Sequence, residues 1–356
     1  MKILQVMAGA AQGGAETAFV DMCIALHEAG EDIEVVTRKN PARQARLEAA
    51  GLKVHILPFG GLVDIFTTLR MRKIIREFRP HIIQTWMSRA AQRTPRWSAS
   101  EDIPRYLVVS RLGGYYKAAH FSQTDYYSTI TPDIRRHLVE AGVPDYKIRH
   151  INNFAELESA GVPLDRATLD TPEDAPLLLA LGRLHQAKAM DVLLRAVAKV
   201  PGVYLWIAGE GPDRAALEAE STALGLDGRV RFLGWRDDRA ALFTTADVCV
   251  FPSRYEPFGT VFVQAWAQRV PLITTASDGP RQYVHDGEDG LMVPVDDVEA
   301  LAAAIGRVVS DPVLCAQLTE NGFRRYQEEF TKARTVSAYL AYYHEILTRE
   351  GLTTLA

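Results

Sequence analysis

Residues 251–266, FPSRYEPFGTVFVQAW, set Glu256 in a turn broken by proline and glycine, and Gln264 eight positions later in what reads as a helix. The stretch lies between the apolar runs DVCVFPS (247–253) and PLITTA (271–276), so the turn is expected at the end of a strand. A helix beginning at Gly259-Thr260 would offer the unpaired N–H groups of Phe258, Gly259, Thr260 and Val261 to an anion. Four residues of helix climb about 6 Å, the scale separating a phosphate from the ribose of one nucleotide, which puts Glu256 and Gln264 on either side of a diphosphate. Upstream, LGRLHQAKAMDVLLRAV (181–197) places Arg183 and Lys188 between a strand end and an amphipathic helix. Two cations there suit phosphate recognition, with ordinary solvated charge as the alternative.

Glycines recur where other strands end. AGAAQGGAET (8–17) carries Gly13 and Gly14 ahead of a helix starting near Ala15; IAGEGP (207–212) carries Gly209 and Gly211; FLGWRDD (232–238) ends in Trp235 and Arg236. Such glycines let backbone approach a ligand, and equally serve a plain tight turn. The first is not the GxGxxG of a nicotinamide site, since Ala11 stands where the second glycine belongs. No Asp-x-Asp triplet occurs, and the nine histidines form no metal constellation; His120, near Arg111, is the one worth following.

These turns need strands to end on. KILQVM, IEVVT, KVHIL, HIIQT, YLVVS, YYSTI and KIRHIN form one series, and LLLALG, VYLWIAG, VRFLG, VCVFPS, PLITTA and LMVPV a second. The runs are apolar throughout rather than alternating, as in parallel strands buried on both faces, with helical stretches between them. The predicted fold is α/β, two Rossmann-like doubly wound parallel-sheet domains: 1–160, and 175–334 after an acidic linker near 155–175. The chain's 356 residues suit two domains. A helix over about 335–356, with Tyr339, Tyr342, Tyr343 and Ile346 at spacings of three and four, is a candidate to return onto the first domain; the sequence leaves its partner open.

Bulk composition excludes some classes. No stretch approaches the roughly 18 apolar residues of a spanning helix. Cys23, Cys249 and Cys315 are scattered, giving neither a disulfide framework nor a zinc site, so a reducing cytoplasm is the expected compartment. The opening MKILQVM reads as a buried strand rather than a leader. Residues 1–160 hold 21 Lys+Arg against 17 Asp+Glu, while the rest hold 19 against 27. Within the basic half, GGLVDIFTTLRMRKIIREFRP (60–80) reads as a helix with Leu62, Ile65, Phe66, Leu69, Ile74 and Phe78 on the sheet. Arg70, Arg72, Lys73, Arg76 and Arg79 would face outward, where they could hold the protein reversibly on an anionic inner membrane leaflet.

Taken in order, GGAE (13–16), NNF (152–154), GRLHQAK (182–188), GEGP (209–212), FPSRYEPFG (251–259) and DGEDGLMVP (286–294) resemble a retaining glycosyltransferase of family 4, with the GT-B fold. The resemblance implies that Arg183 and Lys188 neutralise the diphosphate of a sugar nucleotide and that Glu256 binds hydroxyls of the donor sugar. Amides around Pro257, Phe258, Gly259, Thr260 and Val261 would cradle sugar and phosphate, and Gly13 and Gly14 would face them. Gly209 and Gly211 join the donor site, and backbone near Trp235 and Arg236 would meet the base.

Three departures accompany it. The family's ribose-binding glutamate is Gln264; its later GGxxE is DGPRQ (278–282), with Gln282 for the acid; and after YLVVS, where many relatives have histidine, stands Arg111. An amide still bonds a ribose diol, losing only charge assistance. The expected activity is therefore metal-independent transfer of a hexose from a nucleoside-diphosphate sugar, uridine favoured over guanosine, with retention. The acceptor would be a glycan or lipid-linked glycan of cell-envelope polysaccharide or lipopolysaccharide synthesis. No cofactor and no nucleic acid is expected. The alternative, motivated by Gln264 and Gln282, is a degenerate subunit that binds sugar nucleotides without turnover.

Overall fold

The computed structural model describes residues 1–10, 13–60, 64–100, 102–155 and 161–352. The chain divides into two compact units, Met1–Asn153 with Lys332–Ala356, and Phe154–Thr331. The segment expected as a linker thus belongs to the second unit, and the chain crosses back at residue 332, into the closing helix.

In the first unit the strands are β1 Lys2–Met7, β2 Asp32–Thr37, β3 Lys53–Ile56, β4 Ile82–Trp86, β5 Leu107–Leu112, β6 Tyr126–Thr129 and β7 Ile148–His150. They form one sheet in the order β3-β2-β1-β4-β5-β6-β7. The second unit has β8 Leu177–Leu181, β9 Tyr204–Ala208, β10 Val230–Gly234, β11 Val248–Phe251, β12 Leu272–Thr275 and β13 Leu291–Val293, ordered β10-β9-β8-β11-β12-β13. All pairings between named strands are parallel. β4, β5, β6, β8, β11 and β12 are buried at every residue; β8 and β11 are apolar runs without alternation, while the others also bury polar side chains such as Gln84, Ser110, Arg111 and Thr274.

The helices are α1 Gly14–Glu28, α2 Pro41–Ala49, α3 Ile65–Phe78, α4 Met87–Arg93, α5 Pro132–Glu140, α6 Met190–Ala198 and α7 Arg214–Ala223. They continue as α8 Arg239–Thr245, α9 Thr260–Ala267, α10 Pro280–Tyr283, α11 Val298–Ser310, α12 Pro312–Arg325 and α13 Lys332–Arg349. A π-helical turn, Tyr326–Phe330, precedes the crossing. α13 buries Tyr339, Tyr342, Tyr343 and Ile346 in the first unit, and the Tyr342 hydroxyl donates to the carbonyls of Tyr127 and Lys147, each at 3.0 Å. None of the helices among the described residues is long and apolar enough to cross a membrane.

α3 departs from expectation. Its buried residues are Thr67, Met71, Ile74, Ile75 and Phe78, a run of i, i+4, i+7, i+8, i+11. Ile65, Phe66 and Leu69, assigned to the sheet from the sequence, are instead 65%, 53% and 61% exposed; Leu62 lies outside the described residues. The stripe set by Thr67 leaves positions 65, 66 and 69 on the opposite side, so apolar and basic side chains share the outer face.

Candidate functional site

Each sheet reverses its strand order once, between β1 and β4 in the first and between β8 and β11 in the second. Loops leaving adjacent strands in opposite directions open a crevice at the carboxyl ends, where open α/β sheets hold ligands. In the second unit the loop after β8 carries Arg183 and Lys188, and the loop after β11 carries Glu256. The reversal brings residues 68 apart in sequence into contact: the Lys188 ammonium forms an ion pair with the Glu256 carboxylate, both side chains half-buried. Lys188 Nζ also lies 5.5 Å from the centre of the Phe251 ring. The cation expected on the phosphate and the carboxylate expected on the sugar therefore neutralise one another. Arg183 is exposed nearby along the same loop.

The rim around this pair is made rigid by backbone bonds between loops. Gly182 N–H donates to Ala208 at 3.1 Å, Leu184 N–H to Glu210 at 3.0 Å and Arg254 N–H to Ala187 at 2.9 Å. Gly279 N–H donates to the Glu256 carbonyl at 2.7 Å. Gly209 and Gly211 belong to this scaffold. A Cβ on Gly209 would stand 1.9 Å from the Gly182 carbonyl oxygen, and one on Gly211 would stand 2.1 Å from that of Leu184. The close approach that requires glycine there is made by the chain's own backbone.

Gly259, with φ 97°, turns the chain into α9 and has no side chain to cap it, leaving the first-turn amides of Thr260 and Val261 without a side-chain acceptor. The Phe258 ring is buried against Phe262, Tyr283 and Phe330, so only its backbone is offered to a ligand. Pro257 is half-buried in the same turn, and Gln264 is half-buried on the second turn of α9. Gln282 is used internally, its amide donating to the Asp278 carbonyl. Trp235 is 57% exposed at the end of β10, its indole N–H donating to Asp237 at 2.9 Å, and Arg236 pairs with Asp238. A hydrogen bond from Arg236 holds the Asp238 carboxyl below its ordinary value.

Arg254 was quoted in the sequence motif but given no role. It donates to both Asp191 oxygens at 2.8 and 2.7 Å, to Asp296, and to the Gln186 carbonyl at 2.8 Å. It thereby ties the β11 loop to the Lys188 loop and to the first turn of α6. Burial opposes the Asp191 charge, but the hydrogen bond and charge of Arg254 hold its carboxyl below the ordinary range. The sequence signal was a lone arginine just after a strand, two residues before the acid.

In the first unit Gly13 and Gly14 are exposed at the start of α1, which begins at Gly14, next to the expected Ala15. Glu16 folds back to accept from the Ala10 amide at 2.7 Å; Ala11 and Gln12 lie outside the described residues. Arg111 is inside β5, not after it, because the strand runs on to Leu112. It is 2% exposed, lies 4.0 Å from the centre of the Trp86 ring and donates to Asn153. Burial pushes its pKa down, and among the described residues the groups that oppose the shift are tyrosines, Tyr339, Tyr116 and Tyr343, rather than a carboxylate. So placed, Arg111, which the resemblance would put among the substrate-binding residues, offers almost no side-chain surface to a substrate. His120 sits in a short 3₁₀ turn, Ala118–Phe121. Among the described residues no group of acids, histidines and cysteines is disposed to hold a metal ion.

Comparison with known proteins agrees with this architecture. Residues 13–154 match the Glycosyl transferase 4-like domain and residues 162–325 match Glycosyl transferases group 1. The lipopolysaccharide core biosynthesis glycosyltransferase LpsE of Rhizobium meliloti (strain 1021) is 36% identical over 331 residues, 92% of this chain and 95% of LpsE. LpsD of the same organism is 33% identical over 342 residues, 96% of this chain and 97% of LpsD. Among solved structures, Anabaena Alr3699/HepE in complex with UDP and glucose superposes with a TM-score of 0.80 at 20% identity, covering 98% of this chain and all of that one. WaaG, a glycosyltransferase involved in lipopolysaccharide biosynthesis, superposes with a TM-score of 0.71 at 15% identity, covering 95% of this chain and 98% of that one. With both halves matched in order and a relative alike along nearly its whole length, the chain belongs to the group 1 glycosyltransferases and has the GT-B fold.

Proposed function

We propose that the protein transfers a hexose from a nucleoside-diphosphate sugar, with retention at the anomeric carbon, to a glycan or lipid-linked acceptor in lipopolysaccharide synthesis. The observation that carries this is the Lys188–Glu256 pair at the strand-order reversal of the second sheet, beside the uncapped start of α9. A diphosphate arriving there meets Arg183, Lys188 and the amides of Thr260 and Val261, while Glu256 accepts from hydroxyls of the sugar. Gln264, one turn along α9, bonds the ribose as a neutral amide. In the reaction the bond from the anomeric carbon to the diphosphate oxygen breaks as the acceptor oxygen bonds to the same face. The acceptor proton passes to the departing phosphate oxygen, so neither a side-chain base nor a metal enters. Lys188, Arg183 and the helix start stabilise the charge that develops on the leaving group.

The Rhizobium relatives' names place those proteins in lipopolysaccharide core synthesis, which supports the choice of acceptor. HepE's complex with UDP and glucose supports a uridine nucleotide. The outer face of α3, with Arg70, Arg72, Lys73 and Arg76 beside Ile65, Phe66 and Leu69, supports reversible contact with an anionic leaflet. The test is a thermal-shift screen of uridine, guanosine and adenosine diphosphates and their sugars, then NMR of the product's anomeric configuration. Binding of nucleotide sugars without transfer or hydrolysis would make the chain a binding subunit instead, and an inverted product would remove the mechanism.

A further inference from the structure

The first unit carries a cavity that the donor chemistry does not use. It measures about 420 Å³ and opens at the carboxyl ends of β2 and β3, lined by Arg38, Lys39, Ile56, Leu57, Pro58 and Phe66. This is the ligand-binding end of an open parallel sheet, and the size suits one or two sugar rings.

Its polar groups are all cationic. Arg38 is anchored by donating to the carbonyls of Pro58, at 3.0 Å from Nε, and of Phe59. Those bonds use Nε and Nη2, and among the described residues Nη1 makes no hydrogen bond. Lys39 is exposed and has no ion pair among the described residues. None of the six lining residues carries a carboxylate, so both charges stand uncompensated within the cavity.

The remaining lining is apolar. Ile56, Leu57 and Pro58 form one side, and the half-exposed Phe66 ring, with the Arg70 guanidinium 4.7 Å from its centre, forms another. The described residues on either side of 61–63 are held by hydrogen bonds. Phe59 is held at φ 45°, its N–H donating to Thr67 Oγ1 at 3.1 Å. Asp64 accepts from the amides of Gly60 and Thr67 and from the Thr67 hydroxyl. A non-glycine residue in the left-handed region costs free energy, and it persists only where its surroundings fix it.

From this we infer that the cavity binds an acidic sugar of the acceptor, one bearing a phosphate or carboxylate. Arg38 and Lys39 take the anionic group and Phe66 takes the ring's C–H face. A neutral hexose would leave the two cations unanswered. A flat lipid surface would meet convex α3 rather than this recess. The inference rests on the proposed transfer to a glycan or lipid-linked acceptor; it assigns that acceptor to the first unit, since the donor groups lie in the second, and names the chemistry that selects it.

The experiment uses the full chain with isotope-labelled Ile and Leu methyl groups, saturated with UDP so that the cations of the second unit are occupied. Glucose 6-phosphate, glucose and phosphatidylglycerol vesicles are titrated separately. The expected result is saturable movement of the Ile56 and Leu57 methyl signals with glucose 6-phosphate and none with glucose. Affinity should fall at least about tenfold in Lys39→Glu and also fall in Phe66→Ala. Equal response to glucose, no response, or unchanged affinity in both variants overturns the inference. A response to vesicles but not to glucose 6-phosphate overturns it in favour of a lipid headgroup. UDP binding, measured by thermal shift on the same samples, reports the donor reading separately: its absence removes that reading whatever the Ile56 signal does.

Discussion

Glu256 and Lys188 satisfy each other in an ion pair, and this changes what their substitution should do. Glu256→Ala removes the sugar's hydrogen-bond acceptor and leaves Lys188 freer to meet phosphate. Turnover is expected to fall about 10²-fold, as when one directed bond in a transition state is lost, while nucleoside diphosphate binds at least as well. Steady-state kinetics beside calorimetry of UDP binding checks both halves; turnover within about threefold of wild type would remove Glu256 from the site. Gln264→Glu restores charge assistance to a ribose bond and should tighten UDP binding by about 1 kcal/mol in the same titration. Weaker binding would show that the amide is matched to the nearby Glu256 charge. At this scale the sequence showed which residue types were available, but not their pairing. Nothing in residues 181–197 announces that Lys188 reaches a carboxylate 68 positions on; only the order of β8 and β11 does that. Arg111 was misplaced by one strand end, because a buried arginine inside a strand is invisible where apolar character marks the strand.

Among the elements, the loops after β8, β9, β11 and β12 behave as one scaffold, since each leans on the backbone of another. Gly209→Ala would force a methyl group to 1.9 Å from the Gly182 carbonyl at a φ of 156°, so this substitution should lower the melting temperature and donor binding together. An unchanged melting temperature would mean that the rim yields easily. Arg254→Met tests the clamp from its other side. Asp191 is held below its ordinary carboxyl value, so the clamp contributes fully at neutral pH and is lost as pH falls from about 4 through that lowered value. Melting temperature measured against pH should show a steeper acid slope for wild type than for the variant. The strands themselves were legible because a doubly covered parallel strand is mostly apolar, with few exposed polar positions to break the run. α3 was legible as a helix, but the buried face of its first half was not, since Ile65, Phe66 and Leu69 fit a helical stripe as well as Thr67 and Met71 do; threonine concealed which stripe meets the sheet.

For the whole molecule, the uneven charge and the α3 face converge on one expectation. Sedimentation with anionic vesicles at low salt should carry the protein down, high salt should release it, and neutral vesicles should leave it in solution. Replacing Arg70, Lys73 and Arg76 with glutamate should abolish the effect, and protein that stays in the supernatant with anionic vesicles at low salt removes the membrane contact.

The chain leaves the first unit at Asn153 and re-enters it at Lys332, and Tyr342 there bonds to backbone laid down two hundred residues earlier. On the ribosome this inverts the usual sequence of events. At about 5–20 residues per second, the first seven strands emerge well before α13 exists to cover them, whereas the second unit is complete as soon as Thr331 clears the exit tunnel. The half of the protein translated first is thus the half that finishes last. A nascent chain cut after Thr331 and carried on a linker long enough to span the exit tunnel would hold a folded second unit tethered to a first unit with its tyrosine-lined seam open to chaperones.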